Sequence, residues 1–405
     1  MIEGEKFKYM NNSYDLNLDI DIENETLKVI CKVDYFTKDK IDNISFYISS
    51  KMDVKVNQCN YKFDYEIKED TEKRCTFVKD PKILEVNFKE FIEVNKNIEL
   101  TLICEGKFDI AEGVGCNSLN REWIELGLYC IWHPLLVDLN DSNFKADIKI
   151  SEGYKVVNTI ENGLYQSLVQ NKPTVDCTII ASNKFKCIST SNEDLNVKVY
   201  YTNEDKKNTA KNLLKYLNSG LRIFSRFGKT STNNLSIVIG ERDSGGGYCR
   251  PELISLSSLD GSSDLDIFHF ICHEFAHMWW LDAPSDSYED WLNEAFAEYS
   301  SLIAIREEFG EVEFYKLINE YTERSKDLKP IMNIKRDDPS AYGVLYEKGA
   351  CVLNKLEDKI GENEFIALLK ETNSRKIIST QSFLELVEDM YGKDINEYIY
   401  ELLCR

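Results

Sequence analysis

The chain has 405 residues, 43% of them hydrophobic, which supports two or three packed cores and excludes one small stapled module. Seventy Asp and Glu against 49 Lys and Arg give a formal charge of −21, a field that repels nucleic acid and anionic membrane surfaces. No run approaches the ~18 apolar residues of a membrane span and the amino terminus carries no apolar leader, so a cytoplasmic chain is expected. The 12 cysteines are scattered singly with no CxxC pair, which fits free thiols in a reducing compartment.

From Tyr14 to Thr202 apolar residues mostly alternate, as in Leu16, Leu18, Ile20 and Ile22 and then, past Glu23-Asn24-Glu25, in Leu27, Val29, Cys31 and Val33. Period two means half-buried strands, and similar runs at Ile44 to Ile48, Ile83 to Phe88, Ile98 to Cys104 and Phe144 to Ile150 predict an antiparallel β domain over residues 1–202. After the potential caps Thr202 and Asn203 the period changes: Leu213, Leu214, Leu217, Leu221, Ile223, Phe224 and Phe227 recur at three and four until Gly228. Strand-like runs at Leu235 to Ile239 and Leu253 to Leu256 flank a Gly-rich turn, and helical patterns fill the rest. The fold class is α+β, with a second domain over residues 203–405 packed on the first, since no Pro- or Gly-rich linker separates them.

The strongest signal is His273-Glu274-Phe275-Ala276-His277, an HExxH pattern inside the apolar stretch Ile267 to Leu281. Positions i and i+4 lie about 40° apart around a helix and about 6 Å along it, so two imidazoles reach one ion, with zinc the expected metal. Glu274, next to a ligand, is placed to act as general base. His269, one turn earlier, stands about 12 Å along the axis from His277, too far for both to share one tetrahedral ion, and is expected to be structural. A third ligand is expected on the segment Trp291-Leu292-Asn293-Glu294-Ala295-Phe296-Ala297-Glu298-Tyr299, where Glu294 and Glu298 share a face. Asp290, one turn before Glu294, is a candidate to orient a ligand imidazole.

These residues resemble the gluzincin aminopeptidases of the aminopeptidase N and leukotriene hydrolase type, whose pattern is HExxH, eighteen residues, and the liganding Glu of WLNEGFA. WLNEAFA puts that role on Glu294, across a gap of sixteen residues here, and leaves Glu298 to support the site or to be an ordinary helix acid. Tyr346-Glu347-Lys348-Gly349-Ala350 is similar to the family's YEKGA segment, whose tyrosine stabilises the oxyanion; Tyr342 is an alternative donor. Phe144-Lys145-Ala146 to Gly153-Tyr154 resembles the family's saddle-like amino-terminal β domain. The resemblance implies a thermolysin-like, mostly helical catalytic domain, one zinc per chain and a peptide substrate.

The pattern also departs from the family. Where it has GxMEN, whose Glu binds the substrate's amino group, this chain reads Gly245-Gly246-Gly247-Tyr248-Cys249-Arg250-Pro251-Glu252. The glycines permit close approach of a peptide backbone, Leu253 to Leu256 is a candidate edge strand, and Glu252 is the nearest acid for an ammonium group. The larger family members continue into further domains, so a more open cleft is expected. His133, in Trp132-His133-Pro134, is read as a core or surface histidine. Peptide hydrolysis is therefore expected with exopeptidase action left open; the rivals are a non-catalytic peptide-binding protein retaining the fold, against which the intact HExxH argues, and a hydrolase of a non-peptide substrate. Oligomeric state is not legible.

Overall fold

The computed structural model describes residues 12–71, 75, 81–108, 117–170, 172–192, 195–242 and 246–405. By packing, the chain forms two units: residues up to Lys186 together with Glu241–Gly246, and Cys187–Gly240 together with Gly247–Arg405.

The first unit is built from the alternating segments. Strand Asn12–Asp21 buries Tyr14, Leu16, Leu18 and Ile20 and turns the residues between them outward, and Thr26–Phe36 does the same with Leu27, Val29, Cys31 and Val33. A seven-stranded sheet runs in the order Thr159–Asn162, Tyr165–Val169, Ser142–Lys149, Asn12–Asp21, Thr26–Phe36, Asn97–Gly106, Met52–Cys59. One pairing departs from the antiparallel expectation: Asn12–Asp21 lies parallel to Ser142–Lys149. Alternation is common to both strand directions, so the sequence pattern does not distinguish them. Two four-stranded sheets complete the unit.

The second unit opens on a five-stranded sheet in the order Lys186–Ser191, Asn196–Tyr201, Asn234–Ile239, Leu253–Leu256, Tyr248–Arg250. Asn196–Tyr201, on the amino-terminal side of residue 202, belongs here because it pairs in parallel with Asn234–Ile239. Leu253–Leu256 is not the edge strand expected from the sequence. It is flanked on both sides, in parallel with Asn234–Ile239 and antiparallel with Tyr248–Arg250, so the margin of the sheet is Tyr248–Arg250. Its four residues are all buried, as an interior strand requires.

Among the described residues eight helices follow the strands: α1 (Lys207–Phe224), α2 (Asp264–Ala276), α3 (Trp291–Phe309), α4 (Glu311–Ser325), α5 (Gly349–Ile360), α6 (Glu362–Ser374), α7 (Thr380–Tyr391) and α8 (Lys393–Cys404). α5 is entered through a π-helical turn, Gly343–Lys348. Helices α2 and α3 are buried on nearly every side, polar site residues included, whereas α1 and α5 bury one stripe. No helix among the described residues is long and apolar enough to cross a membrane. The described cysteines are free thiols, and Cys116 lies outside the described residues.

Candidate metal centre

Helix α2 starts at a capping box: Ser263 Oγ accepts from the Asp266 amide and the Asp266 carboxylate accepts from the Ser263 amide. The fixed start sets the phase of the helix, so His269, His273 and His277 fall one per turn along one face. α1 packs closely against it at Gly220, where a Cβ would stand 3.3 Å from Phe275 Cδ1.

The connection from α2 to α3 is short and pinned. Asn293, the Asn of WLNEAFA, accepts from the Ala283 amide (3.1 Å) and donates to the Ala283 carbonyl (2.9 Å) and to Asp290 Oδ1 (2.9 Å). This clamp folds the loop back on α3, so sixteen residues suffice to bring Glu294 under the two histidines.

Glu294 Oε2 lies 3.4 Å from His273 Nε2 and 3.5 Å from His277 Nε2. It is buried without a well-formed hydrogen bond, and the three side chains offer donor atoms all within 4.8 Å of one another. A tetrahedral zinc with bonds of about 2.0–2.1 Å separates its ligand atoms by about 3.3–3.4 Å, so spacing and donor set both fit that ion.

Each imidazole is oriented through its other nitrogen. His277 Nδ1 is 2.8 Å from the Trp280 carbonyl and His273 Nδ1 is 2.7 Å from Glu298 Oε2, which directs both Nε2 atoms at Glu294. Glu298 also meets His269 Nε2 at 2.8 Å. Asp290 does not orient a histidine: it pairs instead with Arg336 Nε at 3.0 Å, and burial together with the nearby Glu294 pushes its carboxyl up to about 7. Burial pushes the His273 and His277 imidazoles down, but the carboxylates outweigh it and leave both above their ordinary range, His273 well above. Burial likewise pushes Glu294 up, and the two imidazoles hold it well below the carboxylate range. The cluster is thus a set of opposed charges in a dry setting, the condition a bound cation also satisfies.

Glu274 is buried, and its carboxylate abuts Gly247 so closely that a Cβ there would stand 2.5 Å from Glu274 Oε1. Of the glycines expected near substrate, Gly247 is therefore at the centre, Gly246 sits just before it in the left-handed region (φ 59°), and Gly245 lies outside the described residues. Glu252 is in the turn at the far end of the hairpin, where it accepts from Thr232 Oγ1 at 3.1 Å. Glu252 thus stands at the opposite end of the hairpin from Gly247. Tyr346, on the π-helical turn, stacks parallel to the His273 ring with centroids 5.7 Å apart, and Tyr342 stacks on Tyr346 at 4.4 Å between centroids. Burial and the adjacent Glu294 raise the Tyr346 phenol well above its ordinary range. Arg336, whose guanidinium lies 5.9 Å from the Tyr346 ring centre, was not signalled by any spacing: it comes from a polar loop far along the chain. In the first unit His133 is a core residue, packed against Tyr14, Trp132 and Phe144, and burial pushes it down to about 4.

Residues 253–401 match the Peptidase family M1 domain. Human endoplasmic reticulum aminopeptidase 2 is 33% identical over 116 residues, a match covering 26% of this chain and 12% of that protein; its bovine counterpart is 31% identical over 119 residues. The matched part thus spans about an eighth of these curated relatives. An M1 zinc metallopeptidase from Deinococcus radiodurans shares the fold over 97% of this chain and 94% of its own, with a TM-score of 0.72 at 15% identity. A mutant of that protein was solved bound to a Tyr-Ser-Ala substrate (TM-score 0.70). Yeast LTA4 hydrolase aligns over 95% of this chain and 66% of its own, with a TM-score of 0.70 at 19% identity.

Proposed function

Because residues 253–401 match the M1 peptidase domain and three metal-ligating side chains converge within that stretch, we propose that the chain is an M1-type zinc-dependent peptide hydrolase in which His273, His277 and Glu294 hold one metal ion per chain. The observation that carries this reading is the convergence of those three side chains at tetrahedral spacing. Bound there, zinc polarises a carbonyl and brings the pKa of a water to about 7. Glu274 takes the proton of the attacking water and returns it to the leaving amine. Tyr346 donates from its hydroxyl to the developing oxyanion, and its raised pKa keeps that proton in place at neutral pH. Tyr248–Arg250, at the margin of the sheet beside Glu274, is the strand that an extended peptide prolongs.

The reading stops short of strict aminopeptidase action. The amine-binding acid of the family pattern is replaced by Tyr248 and Cys249, and Glu252 is committed to Thr232. A desolvated ammonium without a carboxylate costs several kcal/mol, so a free amino terminus gives no advantage and internal bonds are accessible. The test is the zinc-loaded chain on matched free and amino-acetylated peptides, with Glu274→Gln as control. Both peptides are cleaved at comparable rates, and Glu274→Gln keeps its zinc while losing about 10²- to 10⁴-fold in turnover. A zinc-loaded parent that cleaves neither peptide overturns the hydrolase reading; cleavage of the free peptide alone overturns the specificity reading.

A further inference from the structure

We propose that His269 and Tyr321 are positioning residues of the metal centre, locking the Glu298 carboxylate so that it in turn fixes the His273 imidazole and tightens the binding of zinc. The inference rests on reading His273 as a ligand.

Glu298 lies one turn beyond Glu294 on α3 and is buried. A carboxylate held away from water needs hydrogen bonds on both oxygens. It has them from three side chains on two other helices. Oε1 is shared by His269 Nε2 of α2, at 2.8 Å, and the Tyr321 hydroxyl of α4, while Oε2 faces His273 Nδ1 at 2.7 Å.

The division of labour follows from rotational freedom. The terminal torsion of a glutamate is broad, so a carboxylate held by His273 alone would turn and let the ring turn with it. Two donors on Oε1, arriving from α2 and α4, remove that freedom and leave Oε2 a single direction. Glu298 Oε2 then selects the tautomer with the proton on Nδ1, which points the Nε2 lone pair at the metal position. His277 has no such need, because its Nδ1 partner is the backbone carbonyl of Trp280, already rigid. The two ligand histidines are thus aimed by unlike devices, one fixed by main chain and one by a side chain that requires its own support. His269, too far along α2 to share the ion with His277, acts through Glu298.

The test is the zinc dissociation constant of the full chain, read by chelator competition, for the parent, His269→Leu, His269→Gln, Tyr321→Phe, Glu298→Ala and the His269→Leu/Glu298→Ala pair. Loss of Glu298 weakens zinc binding by about 10- to 100-fold, and His269→Leu or Tyr321→Phe by about 10-fold at most. His269→Gln, whose amide nitrogen reaches the place of Nε2 and still donates, restores the parent affinity to within about twofold. The double variant binds no more weakly than Glu298→Ala alone, since the only route for His269 is then gone. Thermal melts of the metal-free chains identify any variant that fails to fold, and Tyr321→Phe, which deletes a single hydroxyl, decides the case if Glu298→Ala does. Parent-like affinity in both His269→Leu and Tyr321→Phe, or an undiminished effect of His269→Leu in the Glu298→Ala background, overturns the proposal. A parent that binds no zinc overturns the ligand reading of His273 instead.

Discussion

The two units bury histidine in opposite ways. In the β unit His133 sits among the rings of Tyr14, Trp132 and Phe144, with a backbone carbonyl as its polar contact, and burial holds it neutral. In the helical unit His273 and His277 are also buried, but Glu294 and Glu298 face them and keep them chargeable. Depth is therefore not what separates a packing histidine from a ligand. The carboxylates on the neighbouring helix make the difference, because they make a positive charge at that spot favourable whether it is a proton or a metal ion.

The sharpest way to break that contrast is to remove a ligand. His273→Ala leaves two protein ligands, and zinc measured by elemental analysis falls from one per chain to none; full retention would place the metal elsewhere. Next in size is a pH effect on the other histidine. His133 is down at about 4 in the folded chain against about 6.5 unfolded, so the unfolded chain binds the proton first. Its contribution is complete above pH 6.5 and is lost as pH falls from there toward 4, about 3 kcal/mol in all. Denaturant unfolding of the β unit at several pH values checks this, and His133→Phe flattens that part of the profile. An unchanged slope would mean that the ring is not held neutral.

Closer to the chemistry, Tyr346→Phe lowers turnover by roughly 10²-fold with little change in KM, the scale of one lost oxyanion donor. Tyr342→Phe stays near the parent, because that ring is 63% exposed and only stacks on its neighbour. Steady-state kinetics on one peptide compares the two, and the reverse ranking would transfer the role to Tyr342. A smaller loss than that of Tyr346→Phe is expected from Gly247→Ala. The added methyl would meet Glu274 Oε1 at 2.5 Å and Phe270 Cε2 at 2.9 Å, so the carboxylate has to swing aside. Turnover drops about 10-fold while zinc content is unaltered, and parent-like kinetics would show that the base tolerates displacement.

Much of this was legible in the sequence, for reasons that can be named. Strands such as Asn12–Asp21 announce themselves because one face is wet, and alternation records it residue by residue. HExxH was readable because helical geometry fixes what four residues of spacing does in space, whereas on WLNEAFA the geometry left Glu294 and Glu298 open and the resemblance to the family's motif chose between them. The readings that changed depend on contacts between distant segments. The interior place of Leu253–Leu256 follows from Tyr248–Arg250 folding back outside it, and the parallel partner of Asn12–Asp21 arrives some 120 residues later. The orienting partners divide in the same way. His269 carried a signal in its four-residue offset from His273, while the Trp280 carbonyl, Tyr321 and Arg336 carried none, since a main-chain acceptor and isolated residues on separate elements have no pattern to display.

The contact between α3 and the start of α5 has a consequence for how this protein can vary. A Cβ on Gly349 would stand 2.4 Å from that of Ala295, so the crossing beneath Glu294 and Tyr346 has room for one methyl group and not for two. The two positions behave as a single inherited unit: Gly349→Ala alone is excluded, whereas Gly349→Ala with Ala295→Gly only moves the methyl across the seam. Among relatives that keep this crossing, a side chain gained at one position should be matched by a glycine at the other, and a lineage that changed one first would pass through a form whose metal ligand and oxyanion donor had been pried apart.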